Sequence, residues 1–288
     1  MKLVTWNVQW CRGVDGVVDP ARIVDEARRL ADFDVLCLQE IADNYPDPRL
    51  AGSDGSDQFS RLAQLLPGFT AVPGVAVDQP GAGGRRRRFG NMILSRLPVR
   101  QVYRHLLAYP CDPGVPGMPR MAIEAVIGAG TAEADPIRVI TTHLEYYSAR
   151  QRMDQVDALR AIYAEGHAYA RDAQVTMTDG GPFQTFVRPR ATVITGDCNF
   201  EPDSPEHRQM LAPFPDGTPA LVDAWCALHP GEAHPPTFKI YEKKRPDEPE
   251  LHCDFIFIGE ELRARLRDIR VDVETQAADH QPVILTLA

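Results

Sequence analysis

The sequence predicts an α/β (α+β) fold in which two packed sheets of mixed or antiparallel strands are flanked by helices. Three observations support this expectation. Apolar runs of strand length recur along the 288 residues, helical segments are interspersed among them, and no linker is long enough to separate two domains. With 44% hydrophobic and 25% charged residues, the composition is ordinary for a globular protein. We therefore expect residues 1–288 to form a single domain.

The first part of the chain alternates strands and helices. Lys2–Val8 and Asp34–Gln39 are short apolar runs typical of buried strands. Asp19 followed by proline supplies an N-cap and a first helical position, which predicts a helix to about Ala31. A second helix is predicted from about Ser56, as its capping residue, to Leu66.

From Thr70 onward, short β-rich runs are separated by turn residues, a pattern that favours antiparallel pairing. The predicted strands are Thr70–Val77, Asn91–Leu94, Val99–Leu107, Met121–Ile127 and Ile137–Thr142. A long helix is predicted from about Ser148 to Ala173, followed by a polar loop at 174–190. Further strands are predicted at Thr192–Thr195, Phe255–Ile258, Arg267–Val273 and Pro282–Leu287. The proline-rich stretch Pro202–Pro249 is predicted to be mostly loop.

Charge and composition exclude several classes of protein. The net charge is -9, yet seven arginines and no acid lie between Gln79 and Cys111, which leaves -9 - 7 = -16 for the remainder. This distribution favours a local anionic group over a long nucleic acid. Neither a G-x-G-x-x-G motif after the first strand nor a Walker loop occurs, which argues against a dinucleotide fold.

The cysteines and the N-terminus give further expectations. The six cysteines include no close pair, so we expect neither disulfides nor structural zinc. No apolar run approaches the length of a membrane helix, and the N-terminus turns polar too soon for a signal peptide. The expected location is therefore cytoplasmic. No obligate protein partner is inferred.

Polar side chains end several of the predicted buried strands. They are Asn7, Glu40, His143, Asp197 with Asn199, and Asp279 with His280. Each has a simple structural explanation when taken alone, such as a turn or a strand end meeting solvent. Together they form the set of residues that metal-assisted hydrolysis of a phosphate ester requires. Asp197 and Asn199 face the same way in an extended chain, so both can address one substrate.

The ordered set of motifs resembles the endonuclease/exonuclease/phosphatase (DNase I-like) superfamily. The motifs, all in family order, are Thr5-Trp6-Asn7, Leu38-Gln39-Glu40, Gly90-Asn91-Met92-Ile93-Leu94-Ser95, Thr142-His143-Leu144, Gly196-Asp197-Cys198-Asn199, Asp254-Phe255-Ile256-Phe257 and Asp279-His280-Gln281-Pro282-Val283. The resemblance implies a four-layer sandwich and phosphoester hydrolysis that depends on Mg²⁺ or Mn²⁺.

The resemblance and the chemistry of the side chains together suggest individual roles. Glu40, Asp279 and Asn7 are the expected metal-binding residues, because a hard cation prefers oxygen ligands. The expected catalytic residues are His143, Asp197, Asn199, Asp254 and His280, with Asp197 orienting the attacking water. Asp254 interrupts an apolar run, and the resemblance assigns it to His280 as the orienting carboxylate. Arg120, Asn91 and Arg88 are the expected substrate-binding residues.

The sequence departs from the family pattern at some positions and leaves the substrate open. Gln9 stands where abasic-site endonucleases usually have an acid, and His252 stands where arginine is common. The leading interpretation is a phosphodiesterase or nuclease that prefers a small or single-stranded phosphodiester over duplex DNA. The alternatives are a phosphomonoesterase for lipid or inositol head groups and a non-catalytic scaffold. Phe183 and Phe186 are interpreted either as a stacking surface for a base or as loop anchors.

Overall fold

The computed structural model describes residues 1–128, 136–172, 175–243 and 245–288. Within these ranges the strands are, in chain order, β1 Lys2–Asn7, β2 Val35–Asp43, β3 Thr70–Pro80, β4 Arg86–Ser95, β5 Val99–Leu106, β6 Met121–Gly128, β7 Pro136–His143, β8 Thr192–Asp197, β9 Leu221–Asp223, β10 Asp254–Gly259, β11 Leu266–Val271 and β12 Val283–Leu287. The α-helices are α1 Pro20–Leu30, α2 Gln58–Leu65, α3 Ala149–Arg171, α4 Pro205–Leu211 and α5 Ala224–Leu228.

The strands form two six-stranded sheets with the orders β11-β12-β1-β2-β4-β3 and β5-β6-β7-β8-β10-β9. Near the middle of each sheet lies one parallel pair, β1 with β2 and β7 with β8, and the other neighbours are antiparallel. The predicted antiparallel pairing is therefore correct for β3 with β4 and for β5, β6 and β7 in succession, but β4 and β5 lie in different sheets.

The two sheets pack face to face, and helices cover their outer faces. Leu3, Cys37 and Ile93 from the first sheet share one apolar cluster with Val139 and Ile256 from the second. Helices α1 and α2 bury Ile23 and Leu62 against the outer face of the first sheet, and α3 buries Leu159 and Tyr163 against the second. The order of layers is helix, sheet, sheet, helix, which confirms the predicted four-layer α/β sandwich.

The start of the second helix needs correction. The N-cap of α2 is Asp57, whose carboxylate accepts the backbone N–H of Ser60 at 3.2 Å, so Ser56 lies outside the helix. The stretch Pro202–Pro249 is mostly loop among its described residues, as predicted, and it also contains α4, β9 and α5. Ser204 followed by Pro205 is an N-cap signal of the same kind as Asp19 before α1, and it does start α4.

The long helix α3 ends at Arg171. Its predicted end at Ala173 and the first residue of the following loop lie outside the described residues. In the part of the chain that the structure describes, no helix is both long and apolar enough to cross a membrane.

Candidate active site

The two parallel strand pairs bring the predicted polar residues to one edge of the sandwich. Asn7 ends β1 and lies opposite Gln39 of β2, while His143 ends β7 opposite Asp197 of β8. Glu40 occupies an irregularity in β2, where the register with β4 shifts and its own φ is 63°. A bulge re-aims a side chain. At this irregularity, the Glu40 carboxylate points into a cleft between the two sheets.

Asp197 lies at the centre of the cleft. Its Oδ2 accepts a 2.9 Å hydrogen bond from Asn7 Nδ2 and is 3.4 Å from His143 Nε2 and 3.7 Å from His280 Nε2. Its Oδ1 accepts the backbone N–H of Asn199 at 3.0 Å. Gly196 permits this placement: its φ is 140°, and a Cβ there would lie 1.9 Å from the carbonyl oxygen of Thr142.

His280 and Asp254 form a buried pair. His280 Nδ1 and Asp254 Oδ2 are 2.9 Å apart, and the ring of Phe238 stacks on the imidazole with centroids 4.4 Å apart. Burial alone disfavours the charged ring, but Asp254 and Asp197 raise the pKa of His280 well above its usual range. The two carboxylates therefore favour the charged imidazole, whose Nε2 lies 3.7 Å from Asp197 Oδ2. The structure pairs His280 with Asp254 rather than with its chain neighbour Asp279.

Glu40 and Asp279 form an acidic pair beside Asp197. Burial, with the negative charge of Asp279 next in importance, raises the pKa of Glu40 to about 7. Burial also raises the pKa of Asp279 to about 6. Gln9 Nε2 donates to Asp279 Oδ2 at 2.8 Å, whereas the buried Oδ1 has no hydrogen-bond partner among the described residues. The site thus concentrates carboxylates without matching positive charge.

These residues fit a hard divalent cation. Such ions prefer carboxylate oxygens, and the unpartnered Oδ1 of Asp279 is a free donor beside Glu40. Asn7 is oriented differently from a direct ligand, because its Oδ1 accepts the backbone N–H of Gln9 at 3.1 Å. Its amide nitrogen instead donates to Glu40 and Asp197 at 3.1 and 2.9 Å. Asn7 therefore spaces the two carboxylates from each other.

The cleft has a volume of about 450 Å³ and a wall rich in aromatic side chains, formed by Trp10, Phe89, Tyr146, Tyr147 and Phe238. Arg120 faces it from the start of β6. Its Nε donates to Glu145 Oε2 at 3.3 Å, and its buried Nη1 has no hydrogen-bond partner among the described residues. Burial, together with the charge of Arg120, lowers the pKa of His143 to about 3, so this ring is neutral near neutral pH.

Two contributors to the cleft, Glu145 and Phe238, were missed by sequence reasoning. Glu145 follows the Thr142-His143-Leu144 motif directly and could have been found from that position. Its Oε1 accepts the backbone N–H of Tyr147 at 2.9 Å, which fixes the backbone that carries Tyr146 and Tyr147 into the cleft wall. Phe238 reaches His280 through an isolated antiparallel bridge, a contact across 42 residues that no local pattern signals.

Some predicted site residues lie elsewhere. Arg88 contacts Asp43 at 2.7 Å and Asp57 at 3.2 Å, outside the cleft lining. Asn91 is buried and donates to the backbone oxygen of Met121 at 3.2 Å, next to Arg120 but not in the cleft wall. The amide of Asn199 lines the cleft while one N–H donates to the backbone oxygen of Leu144 at 2.9 Å.

The loop that follows α3, which carries Phe183 and Phe186, is also remote from the cleft. Phe183 and Phe186 are exposed and precede Thr192, the first residue of β8, whereas Asp197 is its last. They do not line the cleft, which weakens their interpretation as a stacking surface. His252, at the other departure from the family pattern, points away and is 2.7 Å from the backbone oxygen of Pro235.

A four-layer sandwich with carboxylates and histidines gathered at one edge is typical of a class of phosphoester hydrolases. The chain belongs to the Endonuclease/Exonuclease/phosphatase family, whose model matches residues 4–280. No curated protein sequence matches the chain.

Solved structures of the same fold include an endonuclease/exonuclease/phosphatase from Beutenbergia cavernae DSM 12333, with 23% identity and a TM-score of 0.67, over 100% of this chain and 72% of that one. A 3' phosphatase from Neisseria, solved with a product DNA hairpin, has 22% identity and a TM-score of 0.60, covering 100% and 99%. A mannosyl-6-phosphatase from Bacteroides thetaiotaomicron has 13% identity and a TM-score of 0.63, also covering 100% and 99%. At these identities the similarity establishes the fold.

Proposed function

We propose that the protein is a divalent-metal-dependent phosphodiesterase acting on a small or single-stranded phosphodiester. The observation that carries this proposal is the charge of the cleft. Among the described residues, its lining contains four carboxylates but only two cationic groups, the guanidinium of Arg120 and the imidazolium of His280. A phosphodiester carries one negative charge and a phosphomonoester up to two, so the sparse positive charge favours the diester.

The size of the cleft and the pairing of the arginines support a small substrate. A duplex is gripped through many phosphates by a broad basic face. In this protein Arg85, Arg86 and Arg88 instead form ion pairs with aspartates. The exposed rings of Tyr146 and Tyr147 offer a surface for one planar or apolar substituent next to the reacting phosphate.

The protein's own residues divide the chemistry as follows. Asp197 accepts a hydrogen bond from the attacking water and orients it toward phosphorus. Protonated His280, held by Asp254, and the neutral ring of His143 provide N–H groups for the phosphoryl oxygens. Arg120 Nη1 and the amide of Asn199 bind the remaining oxygens. A cation held by Glu40 and Asp279, Mg²⁺ or Mn²⁺, supplies charge neutralisation when bound.

The test is turnover of a matched substrate panel by the purified protein in Mg²⁺. The panel contains bis-p-nitrophenyl phosphate, p-nitrophenyl phosphate, a single-stranded oligonucleotide, supercoiled plasmid and an inositol phosphate. The expected result is preference for the diester and the single strand, loss of activity in EDTA, and inactivity of the His280→Ala control. Preference for the monoesters would replace the proposal with a phosphomonoesterase. Efficient duplex nicking would overturn the small substrate. No turnover at all by folded protein would favour a scaffold.

A further inference from the structure

A second cluster of metal-binding side chains lies outside the catalytic cleft. Asp223 ends β9, Cys226 lies in α5, and His234 lies in the loop that follows. Asp223 Oδ2 is 2.9 Å from His234 Nε2, which in turn is 4.0 Å from Cys226 Sγ. The three potential ligand atoms all lie within 4.8 Å of one another. One oxygen, one nitrogen and one sulfur donor therefore converge on a single point.

The spacing of these donors suits a tetrahedral ion. Zinc binds sulfur at about 2.3 Å and nitrogen or oxygen at about 2.0 to 2.2 Å, which separates neighbouring ligand atoms by roughly 3.3 to 3.7 Å. The observed separations of 2.9 and 4.0 Å require only small side-chain shifts to reach that range. Asp223 is buried and Cys226 is exposed. One side of the site is therefore shielded from water, and an ion can enter from the other side.

The surroundings orient the donors. Asp223 Oδ1 accepts the backbone N–H of Trp225 at 2.8 Å, which leaves Oδ2 for the cluster. His207 Nδ1 accepts the backbone N–H of Asp203, so its proton lies on Nε2, which donates to Asp223 Oδ2 at 2.9 Å. A hydrogen bond of this kind to a ligand carboxylate fixes its direction and is typical of the surroundings of metal ligands.

We propose that Asp223, Cys226 and His234 bind a Zn²⁺ ion, with water in the fourth position. A thiolate, an imidazole and a carboxylate are the ligand types that zinc accepts, whereas Mg²⁺ prefers oxygen alone. Cysteine spacing could not reveal this site, because zinc motifs are recognised by cysteine pairs and only one cysteine takes part. The expectation of no structural zinc is therefore revised by this proposal.

The ion ties a loop to the body of the protein close to the catalytic pair. His234 is four residues before Phe238, which stacks on His280. The ring of His252 lies 4.6 Å from that of His234, two residues before Asp254. Binding of the ion would therefore fix the segment from His234 to Phe238, which contacts His280, and would do so without a contact to the substrate.

The test is cobalt and zinc binding to metal-stripped protein. Co²⁺ bound to a thiolate gives a near-ultraviolet sulfur-to-metal band, and Zn²⁺ should displace it at one equivalent. We expect Cys226→Ala to abolish the band and to weaken Zn²⁺ binding at least tenfold. Cys111→Ala, which removes the other exposed cysteine, should leave both unchanged. Glu40→Gln should keep the band, because Glu40 belongs to the catalytic cleft.

Thermal unfolding provides the second readout. Zn²⁺ that binds only the folded protein raises its melting temperature. To exclude binding in the catalytic cleft, this is measured in the Glu40→Gln background, where the rise should occur in Glu40→Gln and in Glu40→Gln/Cys111→Ala but not in Glu40→Gln/Cys226→Ala. The absence of a cobalt–sulfur band in the folded wild type would overturn the proposal. So would a band that persists in Cys226→Ala or disappears in Cys111→Ala.

Discussion

Two buried clusters of charge in the sandwich have opposite electrostatic characters. Glu124, in the middle of β6, accepts hydrogen bonds from Arg138 at 2.8 Å and Arg188 at 2.8 and 2.9 Å, and lies 3.0 Å from His105 Nε2. Burial alone would raise its pKa, but Arg188, His105 and Arg138 lower it well below the usual range. Glu40, in contrast, faces other carboxylates, and its pKa rises to about 7.

The difference indicates what each cluster is for. A buried carboxylate surrounded by guanidinium groups is complete within the chain, and removing one member leaves an uncompensated charge. Carboxylates that face each other destabilise the free protein and are stabilised only by a proton or a cation. We therefore interpret the Glu124 cluster as structural and the Glu40–Asp279 pair as functional.

The largest expected effect concerns the His280–Asp254 pair. Asp254→Asn and His280→Ala should each lower kcat by roughly 10³- to 10⁴-fold, because the pair acts as one unit. The double variant should lose little more than the worse single variant. Steady-state kinetics on the preferred substrate measures this, with circular dichroism as the control for folding. Losses that multiply would show that the two residues work separately.

The second largest expected effect is a loss of stability when the Glu124 cluster is disrupted. Glu124→Gln should cost about 3 to 5 kcal/mol of unfolding free energy, because Arg138 remains buried without a countercharge and Arg188 keeps only the half-exposed Glu165. Denaturant unfolding measures the loss. The activity of the remaining folded protein should stay near that of the wild type. Asp279→Asn is the matched control in the other cluster, and in metal-free protein it should stabilise, because it removes a repelling charge. A stable Glu124→Gln protein would contradict this distinction.

The third effect is a pH dependence of the metal-free protein. The pKa of Glu40 is about 7 in the folded state against an ordinary value of 4.5, so between these values the folded state holds a proton that the unfolded state lacks. Stability from this group is therefore full below about pH 4.5 and is lost as pH rises through 7, by about 3 kcal/mol.

Glu40→Gln provides the comparison for that pH dependence. Urea unfolding in EDTA at several pH values should show a smaller decrease for Glu40→Gln than for the wild type, since the substituted amide does not titrate. Parallel pH profiles for the two proteins would show that Glu40 is not the group responsible.

The sequence was most informative where function and strand ends coincide. Asn7, His143 and Asp197 end strands whose apolar runs are evident, and parallel pairing then brings them to one edge. The four layers follow from the same runs. The Asp254–His280 pair could be assigned because an aspartate inside an apolar strand needs a partner and the family resemblance implies that this partner is the histidine.

The rest depends on contacts that local patterns do not encode. An arginine in sequence shows its charge but not its countercharge, and Arg88 is paired with Asp43, 45 residues away. Phe238 reaches His280 across a similar separation, through the irregular stretch that the composition suggested was mostly loop. The backbone of Glu40 adopts a bulge whose φ could not be deduced from Gln39-Glu40-Ile41.

The smallest expected effect tests whether the arginine run takes part in binding. Arg88→Ala should change KM by less than about twofold and stability by about 1 kcal/mol or less, because a partly exposed ion pair contributes little. Arg120→Gln is the matched variant inside the cleft, and it should raise KM at least tenfold. Both are measured on the small diester and on a single-stranded oligonucleotide. If Arg88→Ala raised KM only for the oligonucleotide, the run would bind a distal phosphate of a longer substrate. An equal rise on the small diester would place Arg88 at the reacting phosphate and overturn its assignment to the structural ion pairs.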